Sequence, residues 1–537
     1  MTDDHAPATT ANSRRTPRTL LIGFGITALV IVVGWKWMSI DATPKSPPSG
    51  PSTARTPVTT ETVKALCSQC HVFPEPTILP KSEWANRIGQ MAKFRGYGNK
   101  VRGIVNTQEV IKWYEQRAPA ELDRPPLDDR VSHSPLQFQV HKLGWESQTD
   151  DPLVISNVQV AQLVGNQPGN LAPQVIACDM ANGLILLSVP SDNGPPRLRK
   201  IAQIGHPARC QVVDLDRDGL RDLLVADLGS FGAIDHDLGK VTWLRQSPAA
   251  TFTPTDLAVG LSRIADARAA DFDADGDFDL LVGEFGWRTT GRLLLLEHTG
   301  RPGPPQAASY RVKQLDQRHG TIHCPAFDLN NDGHLDALPL FAQEHESVVA
   351  FLGDGKLGFS STTLFQAPHP CWGSSGIQWI DLDQDGDLDA LVTNGDTMDD
   401  TLLKPDHGIR WLENTADLHF TPHHIARLYG VHRAEAADID NDGDLDIIAC
   451  GFVGELKGIP RNELLKTLQV PSLIWLEQTA PAHFESRTLE AHLCDHPTLA
   501  LGDIDGDGDI DIVVGNNTRS PSSDPVHIWI NTTGTAP

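Results

Sequence analysis

Residues 381–392 read DLDQDGDLDALV: acids alternating with spacers, a glycine, a final acid, and then a strand-like run. The same D-x-D-x-D-G-x-x-D pattern recurs as DLDRDGLRD at 214–222, DFDADGDFD at 271–279, DLNNDGHLD at 328–336, DIDNDGDLD at 438–446 and DIDGDGDID at 503–511. Successive starts lie 57, 57, 53, 57 and 65 residues apart. Each stretch runs into an apolar segment such as Leu223-Leu224-Val225 or Ile512-Val513-Val514. Most repeats hold a second one: VTWLRQ, GRLLLLEH, GIRWLEN, SLIWLEQ and VHIWIN. A period of this size with several strands per unit reads as the blades of an all-β propeller. Residues 153–190, with QVIACDMANGLILLS, predict a further blade without the acidic stretch, which brings the count to seven. The propeller is assigned to residues 143–537.

The acidic stretches carry their own chemistry. Carboxylates at positions 1, 3, 5 and 9 can converge on one hard cation, and glycine at position 6 lets the backbone turn around it; oxygen-only ligation suits Ca²⁺. The candidate ligands are Asp214, Asp216, Asp218 and Asp222; Asp271, Asp273, Asp275 and Asp279; Asp328, Asn330, Asp332 and Asp336; Asp381, Asp383, Asp385 and Asp389; Asp438, Asp440, Asp442 and Asp446; and Asp503, Asp505, Asp507 and Asp511. They provide for up to six calcium ions. An EF-hand is excluded, because its bidentate Glu at position 12 is replaced here by Val225, Val282, Pro339, Val392, Ala449 and Val514. The net charge of -25 opposes nucleic-acid binding, and much of it sits in these stretches. The loops and their period resemble the VCBS and FG-GAP repeats of integrin-type β-propellers over roughly residues 150–537. The resemblance implies a seven-bladed propeller with calcium at the blade edges, and it does not imply one activity.

Working toward the N-terminus, residues 61–122 predict a small all-α unit. Helices are expected from Glu61 to His71 after Thr59 and Thr60, from a cap at Ser82 with Trp84, Ile88 and Met91 on one face, and from a cap at Thr107 to Ala118. Cys67-Ser68-Gln69-Cys70-His71 is a C-x-x-C-H motif. Its two thiols suit thioethers to a haem and its histidine suits the proximal iron position, so one haem c is expected. Neither a zinc site nor a thioredoxin-like unit is supported, since a second Cys pair and a βαβ context are lacking. Met91 is the preferred distal ligand, with His133 the other candidate. The segment CSQCHVFPEPTILPKSEWANRIGQM resembles the haem region found ahead of such propellers in some environmental bacteria, through the haem motif, Pro74, Pro76, Leu79, Trp84 and Met91. A cytochrome c-like domain is what that resemblance implies. Residues 123–142 form a Pro-rich connector.

Residues 19–38 (TLLIGFGITALVIVVGWKWM) are the strongly apolar run near the N-terminus, preceded by Arg14, Arg15 and Arg18. They predict a single-pass transmembrane anchor with residues 1–18 in the cytoplasm and the bulk in the periplasm or outside the cell. No small-x-small cleavage site follows, which disfavours a removable signal. Residues 39–60, rich in Pro, Ser and Thr, read as a spacer.

No nucleophile elbow, zincin, Walker or dinucleotide motif is present. The residues just before each acidic loop alternate, and Arg209, Gln211, Asp266, Arg268, His323, Gln378, Arg433 and Glu435 fall on the polar positions. If these strands are innermost, Arg209, Arg268, His323, Arg433 and Glu435 are candidates for a binding or catalytic site at the channel mouth, with His206, His369, His432 and His496 slightly upstream. Six further cysteines read mainly as buried core, with no more than one disulfide. Three functions stay open: electron transfer with a propeller that docks a redox partner or glycan, a propeller oxidoreductase acting on a substrate such as a sugar and passing electrons to haem, and an adhesion or binding module.

Overall fold

The computed structural model describes residues 58–93, 106–124, 127, 130–131, 134–145, 151–163, 173–191, 194–300, 303–458, 460–519 and 524–533. All of them belong to one compact unit, Arg55–Pro537. The expected anchor at 19–38, the tail before it, nearly all of the spacer, and His133 lie outside the described residues. No helix among the described residues is long and apolar enough to cross a membrane.

Seven antiparallel sheets make seven blades. Their inner strands run Ile155–Ala161, Pro207–Val213, Ile264–Ala270, Thr321–His323 with Ala326–Phe327, Ser374–Ile380, Val431–Ala437 and Thr498–Gly502. Each packs beside the next, and the seventh returns to the first. The blade without an acidic loop is the first, as its sequence predicts. Second and third strands are buried on both faces, which is why they read as near-continuous apolar runs such as Leu223–Ala226, Leu280–Val282 and Leu293–Leu296. The core lies between blades. Ile176, Cys178 and Ile185 of blade one pack on Cys210, Leu223 and Val225 of blade two, and Trp243 of blade two packs among Ala267, Leu280 and Leu294 of blade three. The eight cysteines are free thiols, five of them buried.

The ring closes by a pairing that local patterning does not reveal. Phe138–Leu143, placed in the connector by sequence, is the outer strand of blade seven and pairs with Val526–Asn531. Arg130–Val131 pairs in parallel with Ser486–Arg487 at the edge of blade six. The propeller therefore begins before residue 143, because joining the two ends of the blade series fixes the circle.

The six acidic loops share one backbone conformation. The sixth-position glycines have φ between +87° and +102°, where a Cβ would clash with its own backbone. The fourth position is also left-handed, at +56° to +62° for Arg217, Ala274, Asn331, Gln384 and Asn441. The ninth-position aspartates act differently from the rest. Asp389 is buried, and it accepts from Leu382 N in its own loop at 3.1 Å and from Asn414 N at the end of the third strand at 2.8 Å. Asp279, Asp336 and Asp511 make the same pair of bonds, and Asp222 adds Trp243 Nε1 at 2.8 Å. Each thus staples its loop to its blade. Asp389→Ala orphans two buried N–H groups, so unfolding in urea should show a loss of about 3 kcal/mol. That loss should persist in excess chelator, which separates the staple from any metal effect.

In the helical unit, α1 (Thr60–Cys67) starts in a capping box between Thr59 and Thr62. The other two expected caps shift. Helix α2 (Lys81–Met91) is preceded by Pro80 rather than Ser82, and α3 (Thr107–Glu115) is capped by the Asn106 side chain on Gln108 N rather than by Thr107. Trp84 stacks on Tyr114 at 4.0 Å and donates to Pro76 O. Around them Val63, Leu66, Leu79, Ile88, Val110 and Trp113 form a core of their own, which also touches Cys371 and Leu402 of the propeller.

Candidate functional site

The helical unit is docked on the propeller. Arg87 Nη2 donates to Asp399 O at 3.0 Å, and buried Glu83 pairs with Lys457. Between the two lies a cavity of about 620 Å³. Its helical wall carries Cys67, Gln69, Cys70, His71, Arg87, Gln90 and Met91. Its propeller wall carries Trp287, His319, Glu344, Glu346, Cys371, Met398, Asp399 and Lys404, from loops of blades three to five.

Helix α1 ends at Cys67, so Cys70 and His71 sit in the turn after it rather than on the helix expected to run to His71. Ser68 closes the helix by donating its N–H to Lys64 O. That turn exposes Cys70 and leaves Cys67 and His71 half-buried. His71 Nδ1 lies 2.8 Å from Val72 O. A carbonyl only accepts, so Nδ1 carries the proton and Nε2 keeps a free lone pair for a metal. Met91 is half-buried on the cavity and outside the helical core, although Trp84 and Ile88 from the same helix are in it. The cavity volume falls in the range of about 300–1,000 Å³ usual for cofactor sites. Two thiols, a metal-ready imidazole and a thioether around that volume fit a covalently attached haem.

Sequence reading missed the propeller half of this site, including Met398. It is 64% exposed, lines the cavity, and follows the fourth acidic loop, where no repeat pattern marks it. The propeller wall is also rich in buried charge. Lys404 and Asp400 pair at 2.8 Å, each 3% exposed. Burial raises Glu346 to about 7, against the hydrogen bonds it accepts from Ser374 and Gly373. Burial, followed by the charge of Asp396, brings Asp399 to about 7.

In the acidic loops, positions 1, 3 and 5 do converge. One carboxylate oxygen from each of Asp214, Asp216 and Asp218 lies within 4.8 Å of the others, and the same holds for Asp271, Asp273 and Asp275, for Asp381, Asp383 and Asp385, and for Asp438, Asp440 and Asp442. Asp216 Oδ1, Asp271 Oδ1 and Asp440 Oδ1 are buried with no hydrogen-bond partner among the described residues. Orphaned oxygens in an oxygen-only cluster fit a hard divalent cation. The first loop differs, since Arg245 Nε stands 2.6 Å from Asp216 and its Nη2 3.1 Å from Asp218. In the third, Asn330 Nδ2 donates to Asp332.

Burial raises the ninth-position aspartates too, Asp279 and Asp446 to about 7 and Asp222, Asp389 and Asp511 to about 6. A carboxyl whose folded pKa lies above its unfolded one binds more protons when folded, so stability falls as pH rises between the two. Metal-stripped protein should therefore melt lower at pH 7.5 than at pH 5, and Asp279→Asn with Asp446→Asn should flatten that slope. A metal-free melting temperature that rises over this range would show these carboxyls to be ionised in the fold.

The channel candidates come together on the inner strands, where they mainly tie blade to blade. Asn157 accepts from Cys210 N, Gln211 from Ala269 N, Asp266 from Cys324 N, Gln378 from Ala436 N and Glu435 from Leu501 N, in each case on the next blade. Arg268 binds Asp266 at 3.0 Å, Arg433 binds Glu435 at 2.9 Å and reaches back to Ile377 O, and His323 Nε2 lies 3.3 Å from Ser375 O. Arg209, Arg268, Arg433 and Glu435 side chains are only 14–22% exposed. Burial brings Arg209 down to about 10, with Asp266 opposing and Arg433 and Arg268 assisting. Burial and the same three guanidiniums push His323 well below its ordinary value. The upstream histidines also bridge segments: His369 to Asp406, and His496 to Asn516 and Glu490.

The FG-GAP-like repeat family matches residues 212–282, 328–392 and 393–449, the stretches that hold five of the six acidic loops. These blades are FG-GAP repeats. No curated protein matches the chain. Among solved structures, the FG-GAP propeller is similar to BBS1N in its complex with ARL6DN, at 11% identity and a TM-score of 0.41, over 77% of this chain and 99% of that one. It is also similar to the α-L-arabinanase of Penicillium chrysogenum complexed with arabinobiose, at 10% identity and a TM-score of 0.40, over 74% and 100%.

Proposed function

We propose that the protein is a membrane-anchored, exported c-type cytochrome, in which one covalent haem transfers electrons at the face of a calcium-stabilised FG-GAP propeller that binds a redox partner or a glycan. The observation that carries this reading is the single cavity shared by Cys67, Cys70, His71 and Met91 with the propeller. Cys67 and Cys70 would hold the group through thioethers, and His71 Nε2 would bind iron. When bound, haem supplies one-electron transfer at a potential set by its axial ligands and burial. The propeller wall shields one side from water and supplies Met398 as a second candidate for the distal position beside Met91. Residues 19–38 would tether the whole to the inner membrane with the propeller in the periplasm.

The test is a visible spectrum of periplasmically matured protein, oxidised and reduced, with haem staining after denaturation. Covalent haem with sharp reduced bands is expected. Of Met91→Ala and Met398→Ala, the one that abolishes the low-spin Met signature names the distal ligand. Protein without haem leaves a binding module, and the cytochrome reading fails. One observation favours a second reading, an oxidoreductase: Glu346 and Asp399 stand near neutrality beside the haem motif, where they can accept protons. Reduction of the haem on adding a sugar would support it.

A further inference from the structure

A separate group of ligating side chains stands at the propeller wall of the cavity, which His319 and Glu344 line with His345 beside them. His319 lies just before the inner strand of blade four, and Glu344 and His345 lie in the turn before its third strand, Ser347–Gly353. One donor atom from each falls within 4.8 Å of the others, and all three residues are half-buried. His319 Nε2 is 2.9 Å from Glu344 Oε2, and the two imidazoles meet edge to face with centroids 5.1 Å apart.

An ordinary ion pair accounts for His319 and Glu344 but leaves His345 unexplained. Among the described residues, its hydrogen bonds use only its backbone, from its N–H to Ala342 O and from Gln366 Nε2 to its carbonyl. Both ring nitrogens therefore remain available. The turn that presents Glu344 and His345 is bounded by Gln343 at φ +56° and Glu346 at φ +39°, left-handed conformations that such residues hold only when their surroundings impose them. A competing cation is already committed, since Arg318 grips Asp316 through two bonds of 3.0 and 2.7 Å.

Two imidazoles and one carboxylate make a borderline donor set, unlike the oxygen-only acidic loops. Calcium is poorly matched to it, whereas zinc, iron and copper take imidazole readily. We propose that His319, Glu344 and His345 bind one first-row divalent transition metal ion at the edge of the cavity lined by the C-x-x-C-H motif. The site does not depend on haem, and its failure leaves the cytochrome reading untouched.

The test is to strip the full-length protein with chelator, return it to excess calcium, and titrate with Zn(II) or Co(II). One equivalent should bind despite the calcium, with the visible bands of a nitrogen–oxygen Co(II) site. His345→Ala and Glu344→Gln should each weaken binding by at least about tenfold, with the calcium-dependent melting temperature retained. If either variant fails to fold, X-ray absorption on the zinc-loaded wild-type protein decides, with two imidazoles and one carboxylate expected. No uptake, uptake unchanged in the variants, or a sulfur shell that places the metal on Cys67 and Cys70 overturns the proposal.

Discussion

Removal of calcium is expected to lower the melting temperature of the protein by at least about 10 °C. In four of the loops, one oxygen from each of three carboxylates lies within 4.8 Å of the others, and in three of those loops a buried oxygen has no hydrogen-bond partner among the described residues. An ion held at a hundred times its dissociation constant stabilises by about 2.7 kcal/mol. Four such loops would together match the about 5–15 kcal/mol of net stability typical of a domain. The first loop should contribute least, because Arg245 already brings positive charge to Asp216 and Asp218. Calcium should restore the transition and magnesium should restore it poorly, since the smaller ion demands octahedral geometry and keeps its waters. A single change such as Asp440→Asn should cost only a fraction of the total. An unchanged melting curve in excess chelator would remove calcium from the account.

The division between what the sequence reveals and what it hides follows the range of the contacts. Asp381 to Asp389 and their five counterparts are local, repeated and in register, so the blades, their number and the left-handed glycines are all legible. The first blade is legible through its strand-like run QVIACDMANGLILLS even without the loop. The ring-closing strand Phe138–Leu143 is not, because its partner lies nearly 400 residues away and its own pattern is too short to stand out. The cavity is hidden for the same reason. Arg87 meets Asp399 across 312 positions and Glu83 meets Lys457 across 374, so the haem motif is readable and its second wall is not. The ninth-position aspartates show a subtler limit. Their pattern announces acid at a fixed place, but a ligand and a buried acceptor of two N–H groups leave the same letter. The inner-strand arginines and acids show it again, since alternation marks them as channel-facing and only the neighbouring blade reveals their partners.

That hidden second wall makes the haem prediction sharper than the motif alone allows. Cys67→Ser with Cys70→Ser should abolish haem staining after denaturation completely, because no other thiol on the cavity is placed to substitute. Cys371 also lines it, but burial raises that thiol to about 11 and it packs against the helical core, so it should stay protonated and unreactive. The fold should survive, since Val63, Leu79, Trp84 and Tyr114 form the buried centre of the helical core, Cys67 only packs half-buried against it, Cys70 is exposed, and the propeller has its own core. The same variant should brighten tryptophan emission, because Trp287 lines the cavity and haem is an efficient quencher of nearby indoles. Haem docked against the propeller and haem held by the helices alone then give different results. In the first case Trp287→Phe removes part of the gain in emission; in the second it leaves the gain unchanged. A double-cysteine variant that still stains for haem would place the attachment elsewhere and would take the cytochrome assignment with it.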